Sequence, residues 1–170
     1  MKRIVVILCM DIGLAALLIP LALPNRAHLV YNPSSSVPRG WYRIVPAGSL
    51  RAGAIVLARL PAPAAALAAQ RGYLPAGIPL LKRVGAMAPQ RVCVDGASVR
   101  IDDAVVAAVI RADGRGRPLP VWQQCRSLAY GELFLLSSTN SMSFDSRYFG
   151  PIRASNVIGS AQLIWTWDGP

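Results

Sequence analysis

The sequence predicts a mostly β domain built from antiparallel strands and preceded by one amino-terminal transmembrane helix. Three observations predict this fold class. Short runs rich in Val, Ile, Leu and aromatic residues recur along the chain and are separated by Gly, Pro and Asp-Gly turns. After the amino terminus a single alanine-rich stretch is typical of a helix, so strands and helices do not alternate as in parallel sheets. An apolar segment occupies the amino terminus.

The amino-terminal segment Ile4–Leu23 holds 20 residues with one charged side chain. Its length matches the ~20 apolar residues needed to cross a bilayer, and Lys2 and Arg3 before it favour a cytoplasmic amino terminus. A cleaved secretory signal is the alternative, although the following LPNRAHLV has no clear small-residue cleavage site. We expect residues 1–25 to be a cytoplasmic amino terminus and retained anchor, and residues 26–170 to be a periplasmic domain.

The rest of the chain predicts seven strands and one helix. Residues 61–72 read PAPAAALAAQRG, with prolines near the start and Gly72 as a helix stop. Asp95-Gly96 predicts a two-residue hairpin turn, and residues 113–120 predict a polar loop rich in Gly and Pro. The predicted strands, in chain order, are Trp41–Val45, Ala54–Leu60, Leu80–Val84, Arg91–Val94, Ser98–Ile101, Glu132–Leu136 and Gly159–Thr166.

The formal net charge of +10 at pH 7 favours contact with anionic surfaces. The arginines are scattered, and the sequence shows no basic patch with interleaved aromatic residues and no known nucleic-acid-binding motif. We therefore expect no nucleic-acid partner and place most arginines on the solvated surface. A basic external face is suited to the anionic headgroups of a membrane.

The cysteines and the histidine further limit the chemistry that we expect. Cys93 and Cys125 lie beyond the apolar segment, so we expect them to form a disulfide that closes a loop of roughly 30 residues in an oxidising compartment. Cys9 lies within the apolar segment and is expected to act as a small hydrophobic residue. The single histidine, His28, leaves no ligand set for zinc, so no metal is expected.

The stretch Tyr31–Pro46 reads YNPSSSVPRGWYRIVP and places three serines between Pro33 and Pro38. A serine nucleophile needs an exposed hydroxyl on a stiff, turned backbone, with an N–H group nearby for the oxyanion. Proline fixes φ and supplies that stiffness. The alternative is a plain linker, because Ser, Pro and Gly clusters also connect membrane segments to domains.

Lys82 is the only lysine besides Lys2, and Leu80, Leu81 and Val84 surround it in sequence. In a buried strand its ammonium group would be partly desolvated, which lowers a lysine pKa. A lysine near neutrality can act as a general base, whereas arginine stays charged. The alternative is that coding bias has replaced other lysines by arginine and left this one by chance.

Three stretches occur in an order that resembles the signal peptidase I superfamily, and within it the conjugative transfer (TraF-type) branch. NPSSSVPRGWY is similar to the S-x-P-x-G-x-Y nucleophile box, LLKRV to the lysine box, and FDSRYFGPI to the S-x-D-S-R-x-F-G-P signature. The tract RGRPLPVWQQC is also typical of the transfer branch. The resemblance covers nearly the whole chain after the apolar segment. It implies an all-β, signal-peptidase-like catalytic domain that faces the periplasm from an inner-membrane anchor.

The resemblance implies a serine–lysine dyad. Ser36 matches the nucleophile and Lys82 its general base, a variant of triad chemistry that needs no histidine. The backbone N–H of Ser36 and the hydroxyl of Ser34 would form the oxyanion hole. No cofactor is implied.

The third box contributes Asp145, Ser146 and Arg147, which match residues near the site in the family. The aspartate and arginine usually pair to hold the site, and Ser146 is expected to orient the lysine. A purely structural ion pair between Asp145 and Arg147 is an equally open alternative.

Two departures from the family pattern weigh against a housekeeping leader peptidase and leave the dyad intact. Where leader peptidases carry Gly-Asp-Asn, this chain has Ser137, Ser138 and Thr139. Where they carry Pro-Gly-Asp after the lysine box, residues 88–90 read Ala-Pro-Gln.

The first functional hypothesis is a membrane-anchored serine endopeptidase of a conjugation or type IV secretion system. Its expected partners are the inner membrane and a secreted precursor, with a pilin subunit as the expected substrate. Water would release the acyl-enzyme, or a peptide amine would do so and join the substrate's ends. The alternatives are a general type I signal peptidase and a non-catalytic scaffold of a secretion complex. Intact serine and lysine boxes argue against the scaffold.

Overall fold

The computed structural model describes the backbone of residues 2–22 and 29–167, and the side chains of residues 5–15 and 29–167. Antiparallel strands dominate the second range, as the sequence predicts. In chain order the elements are α1 (Lys2–Ala22), β1 (Leu29–Asn32), β2 (Gly40–Val45), β3 (Ile55–Ala58), α2 (Ala62–Arg71), β4 (Leu80–Met87), β5 (Arg91–Val94), β6 (Ser98–Ile101), β7 (Ala104–Ala108), β8 (Cys125–Ser127), β9 (Glu132–Leu135), α3 (Ser146–Phe149), β10 (Ile152–Arg153), a 3₁₀ turn (Ala154–Asn156) and β11 (Val157–Thr166).

The amino-terminal segment is helical, since α1 has 21 residues. Among the residues that the structure describes, no helix is both long enough and apolar enough to cross a membrane. The anchor expected over residues 1–25 therefore stays a prediction. Its expected boundary with the domain, at residues 25 and 26, lies outside the described residues.

A seven-stranded sheet brings the three sequence boxes together. Its order is β1-β2-β11-β3-β4-β9-β10, and its neighbouring strands run antiparallel. The serine cluster lies in the loop that joins β1 to β2, Lys82 lies on β4, and the third box follows β9. Because β11 pairs with both β2 and β3, the last strand of the chain closes the sheet between its early strands.

A second sheet of four strands, in the order β7-β6-β5-β8, packs on the first. Val92 and Val99 of this sheet are fully buried and belong to the same apolar cluster as Ala86 and Phe134 of β4 and β9. The cluster thus joins the two sheets. Burying such side chains stabilises the fold by about 1.5–3 kcal/mol for each large apolar residue.

The predicted elements are largely confirmed. Arg91–Val94 and Ser98–Ile101 are strands with the predicted bounds, and each of the other five predicted strands overlaps an observed one. The helix predicted over 61–72 is observed as α2, and the N–H of Gly72 (φ 73°) bonds to the last-turn carbonyls. The sequence analysis missed four strands, which are two to five residues long: β1, β7, β8 and β10.

The predicted turn at Asp95-Gly96 is wrong in its length. Ala97 joins the loop, so three residues connect β5 to β6, and the Asp95 carboxylate accepts hydrogen bonds from the amide and hydroxyl of Ser98. A two-residue turn occurs instead between β6 and β7, where Asp102 and Asp103 have φ of 48° and 68°. Positive φ at both positions is typical of a type I′ hairpin, and aspartate tolerates that conformation.

Gly40 of the nucleophile box opens β2 and is paired with Thr166 of β11. A Cβ atom at this position would overlap the carbonyl oxygen of Trp165. The glycine of S-x-P-x-G is therefore required by the close approach of the last strand.

Candidate active site

The serine loop is held by the side chain of Asn32, which ends β1 and is buried. Its Nδ2 donates to the carbonyl oxygens of Ser34 at 2.8 Å and of Val37 and Pro38 at 3.1 Å each. Its Oδ1 accepts hydrogen bonds from the amide of Ser34 at 3.1 Å and from the hydroxyl of Ser34 at 2.9 Å. One amide side chain thus fixes both ends of the turn in a conformation that two prolines already restrict.

Ser36 lies inside this turn and is buried, with 7% of its surface exposed. Its Oγ is 2.9 Å from the Oγ of Ser34, which itself is exposed. Because the Ser34 hydroxyl donates to Asn32, its oxygen can only accept from Ser36. In the resting site the proton of Ser36 therefore points to Ser34.

Lys82 lies on β4, an interior strand of the seven-stranded sheet, where it is paired with Val56 of β3, and it is 3% exposed. Its Nζ donates to the hydroxyl of Ser143. Burial lowers the pKa of Lys82 from 10.5 to about 8; Asp145 opposes this shift and Arg147 adds to it. The expectation of a desolvated lysine is thus met by its position in the fold.

Ser36 and Lys82 both line a cavity of about 780 Å³. In the part of the chain that the structure describes, no hydrogen bond joins them, because Ser36 bonds to Ser34 and Lys82 bonds to Ser143. Catalytic hydrogen bonds are often open in unliganded sites and tighten when substrate binds. The arrangement therefore holds a buried amine and a serine hydroxyl at one cavity without pairing them.

Asp145 and Arg147 form a buried, bidentate ion pair, with each side chain 0% exposed. Arg147 Nε and Nη2 lie 2.8 and 2.9 Å from the two carboxylate oxygens of Asp145. Nη1 of Arg147 donates to the carbonyl oxygen of Ala108, and Nη2 also donates to the carbonyl oxygens of Asn140 and Ser143. The predicted pairing is present, and it ties the loop before α3 to β7 of the second sheet.

The contacts of Ser146 differ from the expectation that it orients the lysine. Ser146 is buried in the first turn of α3, and its hydroxyl accepts a hydrogen bond from the amide of Leu135 at 2.9 Å. Ser143 instead contacts Lys82. The reason is that Asp145 caps α3 by accepting from the amide of Arg147, which turns Ser146 toward β9.

Three polar residues of the site were missed at the level of sequence. Asn32 stands two residues before the serine cluster, Ser143 stands two residues before Asp145, and Ser137 appears only as a departure from the family pattern. In the structure the hydroxyl of Ser137 donates to the carbonyl oxygen of Ser36 at 2.9 Å. The first serine of the S-x-D-S-R-x-F-G-P signature falls on Ser143, so that residue did carry a sequence signal, whereas Asn32 and Ser137 are identified by their contacts alone.

Apolar side chains form most of the cavity wall. They come from β3, from the turn after α2, from the loop after β7 and from the third box. An extended peptide with small or apolar side chains suits such a wall, because peptide recognition commonly combines main-chain bonding with side-chain pockets. Representative lining residues are Leu57, Leu74, Ile78, Leu119, Met142 and Phe144.

The disulfide between Cys93 and Cys125 is present. It joins the paired strands β5 and β8 of the small sheet, and neither cysteine lines the cavity. Among the described residues no group of three or more His, Cys, Asp or Glu side chains could hold a metal ion. Besides the serine hydroxyls and the amine of Lys82, the cavity wall carries the carboxylate of Asp113 and the phenol groups of Tyr73 and Tyr148.

The chain matches the family model described as signal peptidase, peptidase S26, over residues 1–167. It is 38% identical over 146 residues to a Sinorhizobium fredii protein named "Probable conjugal transfer protein TraF", a match that covers 80% of this chain and 76% of the relative. It is 36% identical over 109 residues to the "Plasmid transfer protein TraF" of Escherichia coli, covering 59% of this chain and 62% of that relative's length.

Among solved structures, a signal peptidase I from Enterococcus faecalis is similar with a TM-score of 0.40 and 15% identity, covering 67% of this chain and 97% of that one. This structural likeness is weak and adds nothing to the family match.

Proposed function

The chain belongs to the peptidase S26 family of signal peptidases, and from that premise we propose that it is a serine endopeptidase that cleaves a secreted precursor during conjugation. The observation that carries the proposal is the placement of Lys82. Its amine is buried at the wall of the cavity that Ser36 also lines, with its pKa lowered to about 8 by burial. A near-neutral buried amine beside a serine is what a serine–lysine mechanism requires.

The mechanism begins with a shift of one proton. Ser36 Oγ attacks the scissile carbonyl carbon while its proton passes to the neutral amine of Lys82. The protonated lysine then gives that proton to the leaving amine as the acyl-enzyme forms. Water, activated by the same neutral lysine, adds to the ester and releases the product. Ser143 accepts a hydrogen bond from Lys82 in the resting site and so orients the amine.

The oxyanion is stabilised by the amide of Ser36 and the hydroxyl of Ser34. At rest the Ser34 hydroxyl donates to Asn32, so it must rotate toward the oxyanion when substrate binds. That rotation also breaks the Ser36–Ser34 hydrogen bond and leaves the Ser36 proton free to turn to Lys82. Donors aimed at the developing charge are commonly a large part of catalysis, about 10²–10³-fold for each one.

We further propose a pilin subunit as the substrate. The two relatives with conjugal or plasmid transfer names support a role in conjugation, and the apolar cavity suits an extended segment of a precursor. The departures at residues 88–90 and 137–139 from the leader-peptidase pattern also favour the transfer branch over a general signal peptidase. Release of the acyl-enzyme by a peptide amine would cyclise the pilin instead of hydrolysing it.

The inner membrane is the proposed location, with a single amino-terminal pass and the catalytic domain in the periplasm. Four aromatic rings, those of Tyr31, Trp41, Trp165 and Trp167, are 39–53% exposed at one end of the large sheet. They contact one another, with ring centroids 5.2 Å apart for the pair on β1 and β2. Trp and Tyr are enriched at membrane interfaces, so this face supports a domain resting against the bilayer.

Processing of a pilin precursor tests the proposal. Ser36→Ala should abolish cleavage, by an amount on the order of a millionfold for a lost nucleophile, while Ser35→Ala removes the neighbouring exposed hydroxyl and should retain activity. A fluorophosphonate probe should label the wild-type protein on Ser36. Failure of the wild-type protein both to label and to cleave would favour the scaffold, and equal cleavage of unrelated exported precursors would favour a general signal peptidase.

A further inference from the structure

A buried chain of hydrogen bonds runs from the Asp145–Arg147 ion pair to the backbone of Ser36. Asp145 Oδ2, held by Arg147, accepts a hydrogen bond from the amide of Ser137 at 3.0 Å. The hydroxyl of Ser137 then donates to the carbonyl oxygen of Ser36 at 2.9 Å. The ion pair and Ser137 are each at most 2% exposed, so water does not compete for these bonds.

The direction of the Ser137 hydroxyl is settled by its partners. A carbonyl oxygen only accepts, so the Ser137 proton must point to Ser36. The Ser137 oxygen also accepts a hydrogen bond from the amide of Asn140 at 3.3 Å. The amide of Ser137 is thus bonded to Asp145, and its hydroxyl both donates to Ser36 and accepts from Asn140.

The hydrogen bond from the Ser137 hydroxyl, called the tether below, acts on Ser36, the proposed nucleophile. Asn32 holds the carbonyl oxygens on either side of Ser36, those of Ser34 and Val37, but not the carbonyl oxygen of Ser36 itself. Ser137 binds that group across 101 residues of sequence. Fixing this carbonyl fixes the ψ angle of Ser36, and through it the direction in which its side chain leaves the backbone.

We propose that Ser137 is a positioning residue for the nucleophile. Its amide is bonded to the buried Asp145–Arg147 ion pair, and its hydroxyl therefore holds the backbone of Ser36 in a fixed position relative to that pair. This inference rests on the proposed function, in which Ser36 is the nucleophile. It also gives the buried ion pair a role in the reaction, because the pair then anchors the serine loop as well as the third box. Ser137 is the first of the residues that replace Gly-Asp-Asn, and a glycine there could not make this bond.

The test compares three variants of the full-length protein. Ser137→Ala removes the tether, Ser137→Thr keeps a hydroxyl at the same position, and Ser138→Ala removes an exposed hydroxyl from the next residue as a matched control. Each is assayed for kcat and KM on the precursor and for labelling by the fluorophosphonate probe, corrected by active-site titration. Hydrogen exchange of residues 34–38 reports the order of the serine loop independently of activity.

We expect Ser137→Ala to lower kcat about 10- to 100-fold with little change in KM, because a displacement of about 1 Å at a reacting group costs up to ~10²-fold. Exchange in residues 34–38 should become faster, Ser137→Thr should recover most of the activity, and Ser138→Ala should match the wild type. The pH at which activity rises should not move, since Ser137 does not contact Lys82.

Two results would overturn the inference. One is a wild-type kcat and wild-type exchange in Ser137→Ala. The other is a lower melting temperature with an unchanged kcat for each titrated site, which would make the tether purely structural. A wild-type protein that labels on Ser36 together with an unaffected Ser137→Ala variant would sink this inference and leave the proposed function standing. A wild-type protein that neither labels nor cleaves the precursor would end both.

Discussion

In the proposed mechanism one residue, Lys82, sets the chemistry and also weakens the fold. The same burial that lowers its pKa to about 8 makes its protonated form unfavourable in the folded state. The sequence indicated this residue because it is nearly the only lysine and has apolar neighbours. The sequence could not indicate that Ser143 rather than Ser146 contacts the amine. Both are serines of the third box, and which of them faces Lys82 depends on where α3 begins.

The activity should follow the titration of Lys82. The base must be neutral, so kcat/KM is expected to rise with pH to a plateau above about pH 8, well below the 10.5 of an ordinary lysine. Lys82→Arg should be as inactive as Lys82→Ala, because a guanidinium keeps its proton. The measurement is precursor cleavage by wild type and both variants from pH 6 to pH 10. Substantial cleavage by Lys82→Arg at high pH would show that Lys82 supplies only charge.

Lys82→Met should stabilise the protein at neutral pH. A pKa lowered from 10.5 to about 8 means that folding disfavours the proton by up to about 3 kcal/mol below pH 8. The unfolded chain binds more protons than the folded one between pH 8 and 10.5, so wild-type stability should rise with pH across that window. The methionine variant lacks this dependence, and its advantage should shrink as the pH rises.

Urea unfolding of both proteins at pH 7 and at pH 10 measures the effect. Lys82→Arg serves as the control, because it keeps a buried charge that cannot be neutralised in this range and should destabilise at both pH values. A methionine variant that is less stable than the wild type at pH 7 would mean that the contact with Ser143 outweighs the cost of burying the amine.

At the scale of elements, the helices and strands that could be predicted are those whose ends are clearly marked in the sequence. Gly72 ends α2 and Gly40 begins β2, and the bounds of β5 and β6 follow from their apolar runs and intervening turns. β7, with sequence AVVAA, was missed because its side chains are mostly exposed and show no alternation of apolar and polar residues. Its position depends on pairing with β6, which a local pattern does not contain.

The third box shows the same limit. Its sequence predicted the Asp145–Arg147 pair, yet its links to Ser36 through Ser137 and to β7 through Arg147 span long distances in sequence. Contacts of this kind depend on the whole sheet being assembled. Ser36 and Lys82 could therefore be named as candidates from the sequence, whereas the hydrogen-bond network around them could not.

The disulfide between β5 and β8 should stabilise the small sheet without taking part in the chemistry. It joins cysteines 32 residues apart, which in the chain-entropy model adds about 3–4 kcal/mol. Cys93→Ser combined with Cys125→Ser should therefore lower the urea midpoint, while kcat at 25 °C should stay within about twofold because neither cysteine lines the cavity. A large loss of kcat in the folded double variant would show that the small sheet shapes the active site.

At the scale of the whole molecule, the cavity and the aromatic face lie on the same sheet and meet at β1. The cavity is lined by β3, β4 and the third box and also by β1, and Tyr31 belongs both to the cavity wall and to the aromatic face, which occupies the β1, β2 and β11 end of the sheet. Because the serine loop connects β1 to β2, the aromatic face and the proposed nucleophile share two strands. If that face rests on the bilayer, as proposed, the cavity is held at a fixed height above it, where a membrane-tethered precursor can reach Ser36.

Tryptophan depth in the membrane tests this arrangement. The chain has four tryptophans, and Trp167 is 53% exposed on the aromatic face while Trp122 packs on Phe134 in the core. Two single-tryptophan variants of the full-length protein, with the other three changed to phenylalanine, are placed in vesicles that contain anionic, brominated lipids. Bromine quenches only nearby indoles, so Trp167 should be quenched strongly and Trp122 hardly at all. No quenching of Trp167 would place the aromatic face away from the lipid, and equal quenching of the two would show that this face is not preferred; either result would remove the structural support for a membrane-held active site.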